Sequence, residues 1–479
     1  MHDATDTADT AVPLFVDLDG TLLKSDLLVE SAFALLKRAP LMIFPMLMWL
    51  LHGKARLKAE IAQRASLETA ALPFQKDFLA WLRDEAAQRP VWLASASDAR
   101  LVTPIAEYLG LFAGVLASDG RRNLAGAHKR EAILEVTGGG AFDYAGNARP
   151  DLAIWARARR AVVVNPEPGI ERAARAGARV ERVFDDRPPA LRAYLRALRV
   201  HQWMKNLLLG VPVLTAHAWS DGDAIGAAIV AFVAFGLCAS ATYLLNDLLD
   251  LPADRVHPSK SRRPLAAGDL PLMHAVLLMP ALLATGLGLA ATLPPAFPLT
   301  LLAYLVLTVS YSLHFKTYML IDVILLAGLY TVRIVAGAFA IDVAVSSWLL
   351  AFSTFIFMSL ALVKRCSELL TLERLQRTAA RGRDYRVSDL PCLGAMGVSS
   401  GYLAVLVLAL FIDSPGSVAH YTHVWVLWLL CPLMLYWVSR LWIKTWRGEM
   451  HEDPLVYSLR DRASWIILVA MAAITVAAA

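Results

Sequence analysis

The sequence predicts two parts of different fold class: a soluble α/β domain, and an all-α membrane bundle of about nine transmembrane helices. Of the 479 residues, 57% are hydrophobic, which is too apolar for a soluble protein of this length. Residues 1–195 alternate apolar and charged segments, whereas long apolar runs follow from about residue 206. We therefore assign 1–195 to a soluble domain and 196–479 to a membrane domain.

Charge and the N-terminal sequence limit the class of protein and its location. The formal net charge is only +5, and we expect no nucleic-acid partner. The first residues, MHDATDTADTAVP, are polar and acidic and do not resemble a signal peptide. We therefore expect the soluble domain to lie in the cytoplasm.

The first element is a short apolar strand that leads into Asp17-Leu-Asp19-Gly-Thr21. A strand that ends in this motif places two carboxylates at the carboxyl edge of a sheet. One carboxylate can attack phosphorus while the other handles the leaving-group proton, and Thr21 can orient the first acid. The motif predicts a phosphate-handling site formed by Asp17 and Asp19.

This motif resembles that of the haloacid-dehalogenase (HAD) superfamily of phosphohydrolases. The resemblance implies an α/β, Rossmann-like fold with a helical cap between the first two motifs. The resemblance implies that Ser95, at the end of a second strand, binds phosphate and that Lys129 neutralises an aspartyl-phosphate. It also implies Mg²⁺ held by four residues: Asp17, Asp19, Asn147 and Asp151. The family usually has Asp where this chain has Asn147, so two alternatives stay open: an active phosphatase, or a degenerate domain kept for regulation or docking.

Between the first two motifs lies an apolar run, residues 39–51, flanked by basic residues. It is shorter than the roughly 20 residues that a membrane span needs, and Pro40 and Pro45 interrupt it. The interpretations that remain are a helix at the membrane interface or docked on the membrane domain, and an ordinary buried helix of the cap.

Nine apolar runs mark the predicted spans of the membrane domain. They lie near 206–219, 223–245, 273–292, 295–312, 318–340, 345–363, 392–412, 421–438 and 463–479. The loops between them alternate between basic loops and loops without Lys or Arg. By the positive-inside rule the basic loops are cytoplasmic, which predicts a multi-pass protein of a bacterial-type inner (plasma) membrane with its C-terminus outside.

The segment after the second predicted span carries a stripe of oxygen ligands: Asn246, Asp247, Asp250 and Asp254. Spacings of three and four residues place side chains on one helix face, although Pro252 ends or kinks the helix before Asp254. Basic residues follow, and the candidates for phosphate binding among them are Arg255, His257, Lys260 and Arg263. Acids that hold Mg²⁺ beside cations that hold phosphate indicate a site for a metal-chelated diphosphate. The alternative is a solvated juxtamembrane loop.

This NDxxDxxxD element and the span pattern resemble the UbiA prenyltransferase superfamily. Four segments are similar to its decaprenyl-phosphate phosphoribosyltransferase branch: DRVHPSKSRRPLAAG, QWMKN, YSLHFK with Asp322 and Arg333 after it, and KRCSEL. The aromatic prenyltransferases usually carry a second DxxxD motif where this chain has KRCSEL. The resemblance implies an Mg²⁺-dependent transfer of phosphoribose from phosphoribosyl pyrophosphate to a polyprenyl phosphate.

That reaction needs cations for the ribose 5-phosphate and for the lipid phosphate, besides Mg²⁺ on the diphosphate. Further candidates for phosphate binding are Lys205, Tyr311, Lys316, Arg333, Lys364 and Arg365. Arg333 lies within a predicted span, so its alternative is a structural pair with an acid or a backbone carbonyl. Glu368 is either a metal ligand or the partner of a cation. The soluble domain would then remove the 5-phosphate from the lipid product.

Two other functions stay open from the sequence. The first is a UbiA-type transfer of a prenyl group from a prenyl diphosphate lipid to an aromatic or other small acceptor. The second is a membrane transporter or scaffold with a regulatory soluble domain, although the ionisable residues of a transporter should lie nearer to the middle of the membrane.

Overall fold

The computed structural model describes residues 12–119, 122–257, 259–376, 384–415, 421–450 and 453–478. They pack as two compact units. The first unit extends to Leu198 and also takes in Tyr243–Pro280, and the second consists of Arg199–Thr242 and the residues from Ala281 onward. The segment with the acidic stripe therefore packs with the N-terminal part of the chain, from which it is distant in sequence.

A parallel sheet of six strands lies at the centre of the first unit, in the order β3-β2-β1-β4-β5-β6. The strands are β1 Leu14–Val16, β2 Val91–Asp98, β3 Gly114–Ser118, β4 Asp143–Gly146, β5 Arg160–Val164 and β6 Val180–Phe184. The strand order reverses direction between β1 and β4, and ligands of such sheets bind at the carboxyl ends beside that point. The predicted α/β fold with a parallel sheet is confirmed, and Asp17 directly follows β1.

The residues of β1 alternate between two hydrophobic clusters. Leu14 and Val16 pack in one cluster with Leu93, and Phe15 packs in the other with Tyr144. Because a parallel sheet carries helices on both faces, its central strand is apolar on both sides. This burial explains why β1 is a continuous apolar run.

The α-helices are numbered here in chain order. Those before the membrane segments are α1 Leu27–Arg38, α2 Ile43–Leu51, α3 Lys54–Ala62, α4 Lys76–Ala86, α5 Ala99–Leu109, α6 Ala127–Thr137, α7 Leu152–Trp155, α8 Ile170–Gly177 and α9 Ala190–Ala197. The others are α10 Val211–Thr215, α11 Gly222–Leu249, α12 Leu251–Arg255, α13 Pro264–Ala267, α14 Leu272–Ala290, α15 Ala296–Leu313, α16 Ile321–Ala340, α17 Ser347–Arg374, α18 Leu390–Ile412, α19 Val424–Leu427, α20 Leu430–Trp446, α21 Pro454–Arg460 and α22 Arg462–Ala478.

The apolar run of residues 39–51 forms a short 3₁₀ helix, Pro40–Met42, followed by α2. Its large side chains are exposed, with Leu41 at 76%, Phe44 at 64% and Leu51 at 82% of their accessible area. A buried cap helix would cover these side chains, so the exposure favours the interfacial interpretation.

Seven helical segments in the described ranges are long and apolar enough to cross a membrane: Gly222–Leu249, Leu272–Ala290, Ala296–Leu313, Ile321–Ala340, Ser347–Arg374, Val387–Ile412 and Val424–Trp446. The pair α21 and α22, bent by 81°, makes an eighth if it is one span. The predicted number of nine is therefore not confirmed.

The difference comes mainly from the first predicted span, residues 206–219. That run consists of the end of a 3₁₀ helix, Val200–Gly210, and the five residues of α10. Neither piece approaches the length of about 20 helical residues that a bilayer requires. A count of apolar residues does not distinguish this short, tighter winding from a continuous helix.

The core of the second unit is formed by side chains of α16, α17, α18 and α20, among them Tyr330, Phe357 and Trp442. Gly397 of α18 lies against the Trp442 ring, because a Cβ atom at this position would come within 2.1 Å of it. A small residue at such a contact lets two helices approach closely. This packing fixes the helices that carry the polar residues of the second unit.

Candidate functional site

The acidic stripe lies at the break between α11 and α12, in the segment Tyr243–Pro280 that packs in the first unit. Asn246 and Asp247 belong to the last turn of α11, Asp250 caps the next helix, and Asp254 lies within α12. Pro252 occupies the first turn of α12, and this confirms that the proline interrupts the helix before Asp254. The backbone N–H of Asp254 still donates to the carbonyl of Asp250 at 2.9 Å, so the winding resumes directly.

Two of these carboxylates converge on one cation. Nη1 of Arg263 lies 3.1 Å from Asp247 and 2.5 Å from Asp254. Both carboxylates are only 3% exposed. The stripe therefore has two buried acids aimed at a single positive charge.

The other charged residues of this segment have different surroundings. Asp250 accepts a hydrogen bond from Lys37 of α1 at 2.8 Å. Arg255 is buried and pairs with Glu30 of α1, so its guanidinium does not point to an open site. His257 is exposed and accepts from the backbone of Ser259, and Lys260 begins a short 3₁₀ helix.

A second polar cluster lies in the other unit around Asp453. Lys205 donates to Asp453 at 2.7 Å, Nζ of Lys364 lies 3.6 Å from it, and the Tyr330 hydroxyl donates to it at 2.9 Å. Burial lowers the pKa of Lys205 to about 8, because Lys364 adds to the effect and Asp453 offsets only part of it. Burial alone would raise the pKa of Asp453, but Lys205 and Lys364 outweigh it and hold that pKa well below its usual range.

A cavity of about 480 Å³ opens beside this cluster. Its lining residues are His201, Gln202, Asp453, Val456 and Arg460. The sequence interpretation placed Lys205 and Lys364 in the site but missed Asp453 and Arg460. The signal available was the basic loop before the last apolar run, but the acids within it have no spacing that forms a motif.

Arg333 lies inside the second unit and is 4% exposed. Its guanidinium donates to the carbonyl of Leu329, to Asn206 at 3.1 Å and to the Tyr304 hydroxyl at 3.0 Å. It also lies 4.8 Å from the centre of the Tyr304 ring. These contacts favour the structural alternative, in which a backbone carbonyl and aromatic rings stabilise the cation.

Arg365 is similarly enclosed. It is 1% exposed, lies 2.8 Å from Asp322 and pairs with Glu368. The Tyr385 hydroxyl also donates to Asp322. Because two acids already balance this guanidinium, the geometry favours a structural role for Arg365 and the cation-partner alternative for Glu368.

The remaining predicted residues of the second unit lie at the end of one span. Tyr311 belongs to the last turn of α15, and Lys316 belongs to the short 3₁₀ helix Phe315–Thr317 that follows it. Both side chains are partly exposed. Their position at a helix end keeps them as candidates for phosphate contacts.

The first unit contains a second group of acids, at the carboxyl edge of its sheet. Lys129 at the start of α6 donates to Asp17 at 2.6 Å and to the Tyr144 hydroxyl at 3.2 Å. Burial raises the pKa of Asp17 to about 6, because the nearby Asp151 adds to the effect and Lys129 only partly offsets it. Lys129 therefore lies beside the first aspartate, within reach of the position where an aspartyl-phosphate would form.

Both carboxylate oxygens of Asp19 accept hydrogen bonds. It accepts from the backbone N–H of Leu27 at 2.9 Å and from the Ser97 hydroxyl at 2.7 Å. Burial raises its pKa to about 7. Ser97 was missed by the sequence interpretation, and it lies two residues after Ser95, whose hydroxyl accepts from the Ser97 N–H at 3.0 Å.

Asn147 lies beside the Asp17–Asp19 loop, since Thr21 donates to its carboxamide oxygen at 3.3 Å. A Cβ atom on Gly20 would come within 2.2 Å of Asn147, and Gly20 has a positive φ of 77°. Glycine is therefore required at this turn on two grounds. Asp151 accepts from the backbone N–H groups of Asn147 and Ala148, so its carboxylate also shapes the loop.

Among the residues that the structure describes, no group of three or more His, Cys, Asp or Glu side chains is arranged to hold a metal ion. The stripe instead offers the buried pair Asp247 and Asp254, and the sheet edge offers Asp17 with Asp151 beside it. Mg²⁺ is usually bound by one or two carboxylates together with substrate phosphates and water. A pair of acids therefore fits a metal that arrives with a diphosphate or a phosphate ester.

More than half of this chain matches a known protein family. The sequence matches the UbiA prenyltransferase family over residues 208–477, more than half of the chain. An uncharacterized protein, y4nM, of Sinorhizobium fredii is 36% identical over 465 residues, which cover 96% of this chain and 90% of that protein. Its alignment therefore includes both the parallel sheet and the apolar helices.

Two further similarities cover smaller shares. The decaprenyl-phosphate phosphoribosyltransferase of Mycobacterium tuberculosis is 33% identical over 193 residues, which cover 39% of this chain and 64% of that protein. A UbiA homolog from Archaeoglobus fulgidus, solved with GPP and Mg²⁺, is 18% identical with a TM-score of 0.47, and the match covers 59% of this chain and 99% of that one. On the family match over residues 208–477, the chain is a multi-pass membrane protein with transferase activity that belongs to the UbiA prenyltransferase family.

Proposed function

We propose that this transferase moves 5-phosphoribose from phosphoribosyl pyrophosphate to a polyprenyl phosphate. We also propose that the part of the first unit up to residue 195, here called the N-terminal unit, then removes the 5-phosphate from the lipid product. The proposed setting is a bacterial inner membrane with the basic loops and the N-terminal unit on the cytoplasmic side. The similarity to decaprenyl-phosphate phosphoribosyltransferases supports the first step.

The observation that carries the proposal is the excess of positive charge around Asp453. Lys205 and Lys364 share this one buried acid, and Arg460 lines the adjacent cavity. A site in which cations outnumber the acid that they contact is completed by an anionic ligand. A phosphoribosyl donor provides a 5-phosphate in addition to its diphosphate, whereas a prenyl diphosphate provides only the diphosphate.

The acidic stripe supplies the second requirement, a place for Mg²⁺. Asp247 and Asp254 would hold the ion, with Asp250 and Asn246 beside them. Mg²⁺ would then replace the guanidinium of Arg263, to which Asp247 and Asp254 are now hydrogen-bonded. When bound, Mg²⁺ stabilises the negative charge on the departing diphosphate. Arg263, once displaced, would be close enough to contact the same phosphates.

The N-terminal unit is proposed to be an HAD-like phosphohydrolase. Asp17 would attack the phosphorus of the 5-phosphate, Lys129 would stabilise the phosphorylated aspartate, and Ser95 and Thr21 would orient the phosphate. Asp19 would donate a proton to the leaving oxygen and later accept one from water. The raised pKa of Asp19, about 7, suits a group that exchanges a proton near neutrality.

Transfer of a prenyl group to a small acceptor is the second candidate, because the family match itself names prenyltransferases. The two candidates differ in the donor, and therefore in what reaches the lipid phase. Membranes containing the protein would be incubated with Mg²⁺, polyprenyl phosphate and phosphoribosyl pyrophosphate labelled in the ribose. The proposal expects label in the extracted lipid, and the prenyl alternative expects none.

A further inference from the structure

A buried ion pair joins the N-terminal helix α1 to the segment that carries the acidic stripe. Both nitrogens at the end of the Arg255 side chain donate to Glu30, Nη1 to Oε2 at 2.8 Å and Nη2 to Oε1 at 2.6 Å. The side chains are 6% and 2% exposed, respectively. A bidentate pair of this kind fixes both distance and orientation.

The remaining polar atoms of the pair are also engaged. Nε of Arg255 donates to the carbonyl of Ala266 at 3.3 Å, and the Ser25 hydroxyl donates to Glu30. Arg255 therefore connects α1, α12 and α13. This arrangement uses all three guanidinium nitrogens, so we remove Arg255 from the phosphate-binding residues that the sequence suggested.

A second contact aligns α1 along the same segment. Lys37 lies seven residues after Glu30, which is two helical turns, so both side chains project from one face of α1. Lys37 donates to Asp250 at 2.8 Å. One face of α1 therefore meets the segment at Arg255 and again at Asp250.

The same helix begins at the proposed phosphatase loop. The N–H of Leu27, the first residue of α1, donates to Asp19 at 2.9 Å. Glu30 follows one turn later. A single turn of α1 therefore contacts Asp19 at its start and Arg255 through Glu30.

Without Glu30, the Arg255 side chain could pair with other acids of its own segment. Without Glu30, a buried guanidinium must find another anion, because an unpaired buried charge is strongly unfavourable. The acids carried by its own segment are Asp247, Asp250 and Asp254. An Arg255 side chain that moved onto them would compete with Mg²⁺.

We propose that Glu30 is a positioning residue for the transfer reaction: it holds Arg255 away from the acidic stripe and fixes the segment that carries the stripe. This inference rests on the proposed Mg²⁺-dependent function of the stripe. It makes the N-terminal unit a component of the transferase and not only an attached phosphatase.

The test uses the full-length protein in membranes, with Glu30→Gln compared with Asp143→Asn. Asp143 is a matched control because it is 1% exposed, pairs with Arg89 and Arg159, and begins β4 at the amino end of the sheet. For Glu30→Gln, we expect the Mg²⁺ concentration for half-maximal transfer to rise about tenfold, with kcat changed less than about twofold. For Asp143→Asn, we expect the Mg²⁺ dependence to stay unchanged even if thermal stability falls.

A double variant tests the stated cause. In Glu30→Gln with Arg255→Gln the displaced charge is gone, so the Mg²⁺ dependence should return to within about twofold of the wild type. A Glu30→Gln variant with wild-type Mg²⁺ dependence, or a double variant as impaired as the single one, would overturn the proposal. If Glu30→Gln does not fold, Glu30→Asp keeps the charge but shortens the reach, and an unchanged Mg²⁺ dependence in that variant would also overturn it.

Hydrogen exchange separates this proposal from the proposed donor. The N–H groups of Asp254 and His257 are hydrogen-bonded within the segment, and they should exchange faster in Glu30→Gln than in Asp143→Asn without any substrate present. Equal exchange in the two variants would contradict the positioning role. If the wild type transfers prenyl groups instead of phosphoribose, the donor is wrong, but the same Mg²⁺ shift is then measured with prenyl diphosphate.

Discussion

The two units each bury one aspartate against one lysine at nearly the same distance: 2.6 Å for Asp17 and Lys129, and 2.7 Å for Asp453 and Lys205. The pKa values of the two aspartates nevertheless shift in opposite directions. Burial raises the pKa of Asp17 to about 6, whereas the pKa of Asp453 stays well below its usual range despite burial. In the second pair the pKa of the lysine is shifted instead, since burial lowers the pKa of Lys205 to about 8.

A third group explains this difference. Next to Asp17 lies another acid, Asp151, and next to Lys205 lies another cation, Lys364. The first site therefore has an excess of negative charge, and the second has an excess of positive charge. The comparison favours a cationic ligand at the first site and an anionic ligand at the second.

The largest expected effect concerns the first site. Asp17→Asn should lower phosphate release from the lipid product by about 10³-fold or more, because the nucleophile is lost. Transfer of labelled ribose into lipid, measured in the same membranes, should be unchanged and serves as the control. Continued phosphate release by this variant would mean that the N-terminal unit is not the phosphatase.

The acidic stripe extends the comparison, since it also has an excess of acids. Asp250→Ala should reduce transfer by about 10²-fold or more while expression is nearly unchanged, because a charge next to the metal-bound diphosphate is lost. Asp269→Asn, in the same unit but outside the stripe, should transfer normally. Retained transfer in Asp250→Ala would refute the role of the stripe in metal binding.

The second site predicts a dependence on pH. Lys205 is mostly charged below its pKa of about 8 and mostly neutral above it. At pH 9 about one tenth of the molecules keep this charge, so the KM for phosphoribosyl pyrophosphate should rise about tenfold between pH 7 and pH 9. In Lys205→Arg the charge persists, and the rise should disappear. The same rise in Lys205→Arg would exclude Lys205 as its source.

The smallest expected effect concerns the exposed apolar helix α2. Leu47 is 53% exposed, and Leu47→Lys should lower phosphate release from the lipid product about threefold by weakening contact with the bilayer. Hydrolysis of a soluble phosphate ester should not change. Val136→Lys, at an exposed position of α6, is the control. Equal losses on both substrates would point to damage of the fold.

Local sequence predicted the parts of the fold that depend on local pattern. The apolar run before Asp17 and the DxDGT turn that requires Gly20 placed β1 and its carboxylates correctly. The pairing of Lys129 with Asp17 followed from the family resemblance. Sequence could not predict that Asp453 lies between Lys205 and Lys364, because these residues are far apart in the chain and meet only through helix packing.

The errors have similar physical causes. Residues 206–219 are apolar enough for a span, but the chain winds them as a 3₁₀ helix and a single short α-helix. Arg255 follows the acidic stripe at a position expected for a phosphate ligand. In the structure it forms an ion pair with Glu30, 225 residues earlier in the chain. A basic residue in a motif is a candidate phosphate-binding residue only if no acid distant in the sequence forms an ion pair with it in the fold.

The most direct test of the central claim is a double-label experiment with the purified protein in lipid vesicles. Phosphoribosyl pyrophosphate carrying one label in the ribose and another in the 5-phosphate would be supplied with Mg²⁺ and polyprenyl phosphate. The account predicts that both labels enter the lipid first and that the phosphate label then leaves as inorganic phosphate. Lipid that acquires neither label, while prenyl diphosphate is transferred to a small aromatic acceptor, would contradict it.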